Sequence, residues 1–228
     1  MAGQALSFKL DEKGKGLLSV ELQRLVIAGW TGRDQAALEK HIRELEELGI
    51  ARPASTPIFY RVAASRVTTR PVIEVSGSAS SGEVEFFLLR HAGVLYVGVG
   101  SDHTDRKAET VGVALSKQMC EKPVAAALWE FSSVEPHWDQ LVLRSWIWED
   151  GKRVLYQEGS VTAMRSPQDL LSRFSTQGLE DGTMMFCGTL AAKGGIRPAA
   201  RFEMELADPV RGQSLLHGYD IVNLPVAG

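Results

Sequence analysis

The chain has 228 residues, of which 44% are hydrophobic, enough to bury a sizeable core. Its formal net charge of −3 and pI near 6.0 provide no basic field for a nucleic acid or an anionic membrane. The two cysteines, Cys120 and Cys187, fit neither a disulfide framework nor a zinc site, so we expect both to be buried thiols. We find no signal peptide and no apolar run long enough to span a membrane, and we therefore expect a cytoplasmic protein.

The first predicted elements are a short strand and a regular helix. The strand covers Leu22 to Ile27, and the helix covers residues 35–48 with Asp34 as its N-cap. His41 and Glu44 are three residues apart, so they lie on one flank of the helix, beside its apolar stripe. Such a pair suits acid–base chemistry near neutral pH, but a solvated pair on a charged helix has the same pattern.

A loop then leads to a predicted strand from Ile58 to Val62, which carries Arg61. The guanidinium could hold a carboxylate bidentately, or it could simply face solvent. A further strand, Val72 to Val75, is followed by a Gly/Ser-rich segment at 77–82. That segment is not a phosphate loop, because no Gly-Lys-Ser/Thr follows it.

The candidate site begins in the next β-prone run. Glu83 and Glu85 are two residues apart, so both carboxylates are expected on one face of a strand. A second run, Gly93 to Val99, delivers Asp102 at its end and could pair with the first. Three converging carboxylates repel one another, and Mg²⁺ or Mn²⁺, with Ca²⁺ as an alternative, is the natural counter-charge. A solvated Glu-x-Glu is the competing interpretation, but the apolar residues after Glu85 favour a buried strand.

Residues 104–117 are predicted to form a helix capped by Thr104. Arg106 and Glu109 stand at helical spacing and could face the carboxylates together. Lys117 would close this helix, a position where a lysine often does no more than complement the helix dipole.

The rest of the chain is predicted to be mostly strands. The predicted elements are a hairpin of Leu141 to Glu149 with Arg153 to Tyr156, a continuation at Ser160 to Met164, a short helix at Pro167 to Phe174, and strands at Gly182 to Leu190, Arg201 to Leu206 and Ile221 to Leu224. Thr189 follows a glycine that suits a close backbone approach.

The run Glu-x-Glu, strand, Gly-x-Asp-x-Thr-x-Arg and Leu-x-Lys, which ends at Lys117, resembles the fumarylacetoacetate hydrolase superfamily. More narrowly, the chain is similar to the short branch called DUF2848 from about residue 25 to 220. The resemblance implies an α+β fold: a mixed β-roll of the fumarylacetoacetate-hydrolase type with few peripheral helices. It also implies one domain over residues 1–228, with a strand and a lid helix within 25–60, and a homodimer.

The resemblance further implies roles for individual residues. The matching positions are the metal ligands Glu83, Glu85 and Asp102, the catalytic residues His41, Glu44 and Lys117, and the substrate-binding residues Arg61, Arg106, Glu109 and Thr189. The chain departs from the superfamily at three places. Arg61 stands where a lysine is usual, Glu109 where a glutamine is more common, and Leu190 where a proline often follows the threonine.

The implied activity is that of a divalent-metal-dependent hydrolase that cleaves a C–C bond of a small 1,3-dicarbonyl acid such as an acylpyruvate. His41 with Glu44 would deprotonate the attacking water. An oxo-acid decarboxylase or a hydratase/dehydratase on the same scaffold is the alternative. A non-catalytic metal-binding protein and a small-molecule-binding module without a metal are the competing classes. Neither a nucleic acid nor a membrane is an expected partner.

Overall fold

The computed structural model of the protein describes residues 3–10, 16–47 and 52–227, with the backbone alone at positions 41, 44, 45 and 47. The described strands are β1 (Gln4–Leu10), β2 (Leu17–Leu22), β3 (Arg24–Gly29), β4 (Ile58–Val62), β5 (Val67–Thr68), β6 (Val72–Ser76), β7 (Ser80–Ser81), β8 (Val84–His91), β9 (Val94–Ser101), β10 (Thr104–Asp105), β11 (Lys122–Pro123), β12 (Ala127–Glu130), β13 (Val142–Glu149), β14 (Lys152–Ser160), β15 (Thr183–Thr189), β16 (Arg201–Asp208) and β17 (Gln213–Leu224). The described helices are α1 (Gln35–Glu47), α2 (Arg106–Glu109), α3 (Val113–Met119), α4 (Phe131–Val134) and α5 (Pro167–Phe174).

Most strands belong to two mixed sheets. The larger sheet has eight described strands in the order β2-β1-β12-β9-β8-β15-β3-β4, and the smaller has five in the order β14-β13-β16-β17-β6. Parallel pairs, such as β15 with β3, lie among antiparallel pairs, such as β8 with β9. The prediction of an α+β fold with mixed sheets and few helices is confirmed.

The central strands of the larger sheet are buried on both faces. Phe86 on β8 packs in a cluster with Leu143 and Phe202 from the smaller sheet, which therefore covers one face. The neighbouring Phe87 joins a second cluster, whose members come almost entirely from strands of the larger sheet itself. A sheet that builds a core from its own side chains on one face must curl around them, as in a β-roll.

The alternating glycines of β9 allow this close packing. An added Cβ at Gly98 would stand 2.2 Å from the Phe87 ring, and one at Gly100 would stand 2.7 Å from the Phe186 ring. The aromatic rings therefore fill space that side chains at these two positions would need. This packing fixes the β8–β9 pair that carries the candidate site.

The structure corrects three details of the secondary-structure prediction. Residues 104–117 form two short helices, α2 and α3, rather than one, and Asp105 rather than Thr104 caps the first by accepting from the Ala108 N–H at 2.8 Å. Val161–Ala163 is a 3₁₀ turn, not a continuing strand. The strands β1 and β2 precede the first predicted strand, and β1 alternates buried and exposed positions.

Other expectations are confirmed or stay open. Asp34 caps α1, because its Oδ1 accepts from the N–H groups of Ala36 and Ala37 at 2.9 and 3.0 Å. Cys120 and Cys187 are free and buried, and burial raises the pKa of the Cys120 thiol to about 11. No helix within residues 3–10, 16–47 and 52–227 is long and apolar enough to cross a membrane. The single domain, the homodimer and the cytoplasmic location stay predictions.

Candidate metal centre and active site

The three predicted carboxylates come together. β8 and β9 pair antiparallel with Glu85 opposite Gly100, and the Asp102 N–H donates to the Glu83 carbonyl at 3.0 Å. One oxygen from each of Glu83, Glu85 and Asp102 can be chosen so that all three lie within 4.8 Å of one another. The pairing of two neighbouring strands therefore brings residues 17 to 19 positions apart to one point, as the sequence predicted.

Asp102 is fully buried between two lysines. The Lys117 ammonium donates to its Oδ2, and the Lys122 Nζ lies 3.0 Å from its Oδ1. Burial opposes ionisation of Asp102, but Lys117 and Lys122 outweigh it and lower the pKa of the carboxyl to about 2. Lys122 also donates to the His103 carbonyl at 2.5 Å, which fixes its ammonium in place. Asp102 is therefore ionised, although it is fully buried.

Glu85 is buried without an ion-pair partner among the described residues. Its Oε2 accepts the Gly188 N–H at 2.6 Å. That donor is available because β15 shifts register against β8 between Phe186 and Thr189, and Gly188 turns the strand with a φ of +102°. Burial and then the Asp102 charge raise the pKa of Glu85 well above its ordinary value. The site therefore favours a proton or a cation at Glu85.

An arginine on α2 forms an ion pair with Glu83. Arg106 reaches its carboxylate at 3.0 Å, and the same guanidinium contacts Glu109 at 3.1 Å and the Ser81 hydroxyl at 2.7 Å. The protein thus supplies three cations to the acidic cluster, namely Arg106, Lys117 and Lys122. The requirement for counter-charge that we drew from the sequence is therefore met in part by side chains.

A divalent cation still fits the donor set. The Asp102 Oδ1 is buried and accepts no well-aligned hydrogen bond, although Lys122 is near. Glu85 makes no ion pair among the described residues, and Glu83 contributes a third carboxylate within the same 4.8 Å group. Three carboxylate oxygens suit Mg²⁺ or Mn²⁺ and leave coordination positions for water or substrate. Glu83, Glu85 and Asp102 are therefore the residues that could hold such an ion.

A cavity of about 310 Å³ opens beside the carboxylates. The residues that line it are Ala28, Gly29, Trp30, Thr31, Gly32, Leu38, Tyr60, Glu83, Glu85, Glu109, Val113, Lys117, Gly188 and Thr189. Its volume is at the small end of the range for ligand pockets, about 300–1,000 Å³. The backbone is strained at its edge, since Trp30 has a φ of +58°. The cavity therefore places a small ligand next to the three carboxylates that could hold a metal ion.

The structure brings Lys117, Arg106 and Glu109 to this site, as predicted by position. Lys117 is buried, lines the cavity and pairs with Asp102, so it is more than a complement to the helix dipole. Arg106 is committed to Glu83, Glu109 and Ser81, which makes it a support for Glu83 rather than an open anion-binding group. Glu109 lines the cavity itself.

Arg61 is not among the residues that line this cavity, and its contact with substrate stays a prediction. Tyr60 lines the cavity, while Arg61 is exposed and lines a separate cavity with Arg24 and Glu180. Adjacent residues of a strand point to opposite faces, so the charged residue at position 61 faces away from the carboxylates.

Thr189 lines the cavity, but its hydroxyl is used within the protein. It donates to the Val84 carbonyl at 2.7 Å and accepts from the Gln157 amide at 2.9 Å. Its direct contact with substrate stays a prediction. The side chains of His41 and Glu44 lie outside the described residues, so their catalytic role stays a prediction as well.

Sequence reasoning missed a buried polar network behind the carboxylates. His103 is fully buried, with Nδ1 3.0 Å from the Tyr219 hydroxyl and Nε2 2.8 Å from the Ser80 hydroxyl. Tyr219 donates to the Ser101 hydroxyl at 2.8 Å, and Ser101 in turn accepts from the Glu83 N–H at 3.2 Å. Burial lowers the pKa of His103 to about 3, so its imidazole is neutral. Only the polar run after Gly100 hinted at this network.

Replacing Gly188 by alanine is expected to destabilise the protein by about 1–3 kcal/mol more than replacing Gly195. Both glycines have positive φ, +102° and +86°, so both variants carry backbone strain. A Cβ at Gly188 would also stand 1.8 Å from the Thr31 Oγ1, whereas nothing lies within 4 Å of one at Gly195. Urea unfolding of the two variants measures the difference, and equal losses of stability would contradict this packing.

Stabilisation by Mg²⁺ is expected to increase with pH. Because the folded protein keeps a proton on Glu85 that the unfolded chain has lost, metal-free stability falls as pH rises above the ordinary glutamate pKa. A divalent cation replaces that proton, so it offsets a larger cost at higher pH. Melting temperatures with EDTA and with saturating Mg²⁺ at pH 6, 7 and 8 give the shift. A shift that stays constant or shrinks with pH would show that Glu85 is not a ligand.

The comparisons with known proteins agree with this fold. Residues 28–219 match the family model described as protein of unknown function (DUF2848). No curated protein matches the chain in sequence. The structure is similar to that of a protein assigned as a fumarylpyruvate hydrolase from Burkholderia cenocepacia, with a TM-score of 0.65, 18% identity, and coverage of 99% of this chain and 98% of the other.

Two further structures are similar over most of both chains. Yeast ynq8, a fumarylacetoacetate hydrolase family protein, gives a TM-score of 0.62 at 18% identity and covers 90% of this chain and 95% of its own. A 2-keto-3-deoxy-D-arabinonate dehydratase complexed with magnesium and 2,5-dioxopentanoate gives a TM-score of 0.61 at 13% identity. The match covers 92% of this chain and 78% of the dehydratase chain. The chain therefore belongs to the DUF2848 family, and its fold is the α+β fold of fumarylacetoacetate hydrolase family proteins.

Proposed function

We propose that the protein is a divalent-metal-dependent hydrolase that cleaves a C–C bond of a small 1,3-dicarbonyl acid such as an acylpyruvate. The observation that carries this proposal is the group of three carboxylates within 4.8 Å, set beside a cavity that Lys117 also lines. Structures with the same fold include a protein assigned as a fumarylpyruvate hydrolase and a dehydratase complexed with magnesium, which support metal-assisted chemistry on oxo acids.

The residues of the chain divide the task between them. Glu83, Glu85 and Asp102 would hold Mg²⁺ or Mn²⁺, which when bound supplies a Lewis acid for the oxygens of an α-oxo acid. Lys117 adds positive potential at the cavity wall, where a substrate carboxylate would lie. Lys122 and Arg106 keep Asp102 and Glu83 in position. Trp30 and Tyr60 line the cavity and would reduce the access of water to a bound substrate.

Helix α1 provides the proposed acid–base pair. Leu38 lines the cavity, and position 41 is one helical turn further along the same flank. In the proposed reaction His41, oriented by Glu44, removes a proton from water as the water oxygen bonds to the distal carbonyl carbon. The C–C bond then breaks, and its electron pair stays on the carbon next to the oxo group, which takes up a proton. The products are a carboxylic acid and the shorter α-oxo acid.

The test uses 2,4-dioxopentanoate and the EDTA-treated protein with Mg²⁺ or Mn²⁺ added back. Pyruvate is measured with a coupled dehydrogenase, and acetate is measured by NMR. We expect metal-dependent formation of both, and loss of turnover in Glu83→Ala. Release of carbon dioxide, or addition or loss of water without C–C cleavage, would indicate the decarboxylase or hydratase alternative. A metal-dependent rise in stability without any turnover would instead identify a non-catalytic metal-binding protein.

A further inference from the structure

The described residues that line the active-site cavity offer a single cation to a ligand. Among the described residues that line it, the charged ones are Glu83, Glu85, Glu109 and Lys117. Lys117 is already paired with Asp102, and Arg106 is occupied by Glu83, Glu109 and Ser81. Lys117 and a bound divalent ion can therefore neutralise one carboxylate of a ligand. A second carboxylate would find no further cation on the described wall.

The remainder of the wall is apolar or uncharged. Leu38 on α1 and Val113 on α3 line the cavity together with Ala28 and the rings of Trp30 and Tyr60. Burial raises the pKa of Tyr60, so its phenol is neutral in the ordinary pH range. A charged group placed against this surface would lose its hydration without gaining a partner, whereas an alkyl group would gain from burial.

Glu109 makes the wall selective against negative charge as well as permissive for apolar groups. Its carboxylate lines the cavity and belongs to the Arg106–Glu83 ion-pair chain, so it cannot withdraw without disturbing that chain. A second carboxylate on a ligand would meet this charge in a cavity of only about 310 Å³. Like charges at short distance inside a protein repel strongly.

We propose that the protein selects α-oxo acids with one carboxylate and a short, uncharged apolar distal group, and rejects dicarboxylates of the same length. This rests on the proposed function, because it concerns the substrate of that same site. The acidic and apolar wall, rather than the metal group, sets the preference. The preference therefore depends on wall residues that take no part in bond cleavage, namely Leu38, Tyr60, Glu109 and Val113.

The test compares two five-carbon ligands that differ only at the distal end. 2-Oxopentanoate ends in a methyl group and 2-oxoglutarate in a carboxylate, and neither is a 1,3-dicarbonyl acid that could be cleaved. Calorimetric titration of the Mg²⁺-loaded protein measures binding without depending on turnover. We expect 2-oxopentanoate to bind at least about tenfold more tightly, a difference of about 1.4 kcal/mol. Equal affinity, or tighter binding of 2-oxoglutarate, would overturn the inference.

Two matched lysine variants test whether the residues of the cavity wall set the preference for monocarboxylates. Val113→Lys adds a cation at the cavity, whereas Leu115→Lys adds one on the same helix at a residue that lines a different cavity and is 51% exposed. We expect Val113→Lys to improve binding of 2-oxoglutarate at least about fivefold and to narrow the ratio between the ligands. Leu115→Lys should leave the ratio unchanged. Equal effects of the two variants would contradict the assignment of the wall.

A third variant tests the acidic residue separately. Glu109→Gln removes a carboxylate with little change in size and should also favour 2-oxoglutarate relative to the wild type. The outcomes separate this inference from the proposed function. If neither oxo acid binds the Mg²⁺-loaded protein, the inference fails, and if 2,4-dioxopentanoate is not cleaved either, the proposed function fails with it. If 2-oxoglutarate binds better while 2,4-dioxopentanoate is cleaved, the proposed function stands and the charge selectivity is wrong.

Discussion

Replacing Asp102 by alanine is expected to lower the free energy of unfolding by about 3–5 kcal/mol, because it leaves buried charge without a partner. Lys122 is completely buried and Lys117 nearly so, and both ammonium groups contact this one carboxylate. Without it, the two like charges repel each other in a region where solvent screening is weak. Urea unfolding of the purified variant measures the loss.

The control is a pair at the surface. Asp139 contacts Arg33 at 3.2 Å with 65% of its side chain exposed, so Asp139→Ala should cost no more than about 1 kcal/mol. Adding Lys122→Met to Asp102→Ala removes one uncompensated charge at similar volume and should recover part of the lost stability. If the double variant were no more stable than Asp102→Ala, the charge of Lys122 would not be the cause.

Replacing Glu85 by glutamine is expected to abolish the response to Mg²⁺ and to reduce turnover of an acylpyruvate by more than about a hundredfold. The amide removes one of the three carboxylates but retains an oxygen that can accept the Gly188 N–H. Burial raises the pKa of Glu85, because an ionised carboxylate is costly to bury. A neutral glutamine avoids this cost, so the metal-free variant should be at least as stable as the wild type.

Melting curves with EDTA and with Mg²⁺ measure both effects. At a concentration of 100 times Kd, a bound ion stabilises the wild type by about 2.7 kcal/mol, and Glu85→Gln should show almost none of this. The matched control is Glu180→Gln, which changes a carboxylate that is 67% exposed and lies outside the 4.8 Å group, and it should keep the Mg²⁺ response. A normal Mg²⁺ response in Glu85→Gln would remove Glu85 from the proposed ligands.

Short-range patterns in the sequence were sufficient to predict that the three carboxylates lie together. Glu83 and Glu85 are two residues apart, and Asp102 follows directly on the strand that pairs with theirs, so two adjacent strands are enough to bring them together. The buried character of β8 was visible in its continuous apolar run, and the structure buries it on both faces. The cap at Asp34 was equally local.

The pairing of β4 decides which of two neighbouring residues lines the cavity. Arg61 was matched to a superfamily lysine, but Tyr60 is the residue of β4 that lines the site. A strand has a side-chain period of two, so a shift by one residue exchanges the two faces. Which face of β4 meets the carboxylates depends on its pairing with β3, and that pairing joins residues far apart in the chain.

The sequence by itself determined the acidic triad and the burial of its strand, because both follow from side-chain periodicity over a few residues. The mixed α+β class was an expectation that the resemblance to the superfamily implied. Only the tertiary structure decided how the charges are balanced. Lys122 and Tyr219 come from other parts of the chain, and the bulge at Gly188 aims its N–H at Glu85. Such contacts depend on how distant elements pack, which no local pattern encodes.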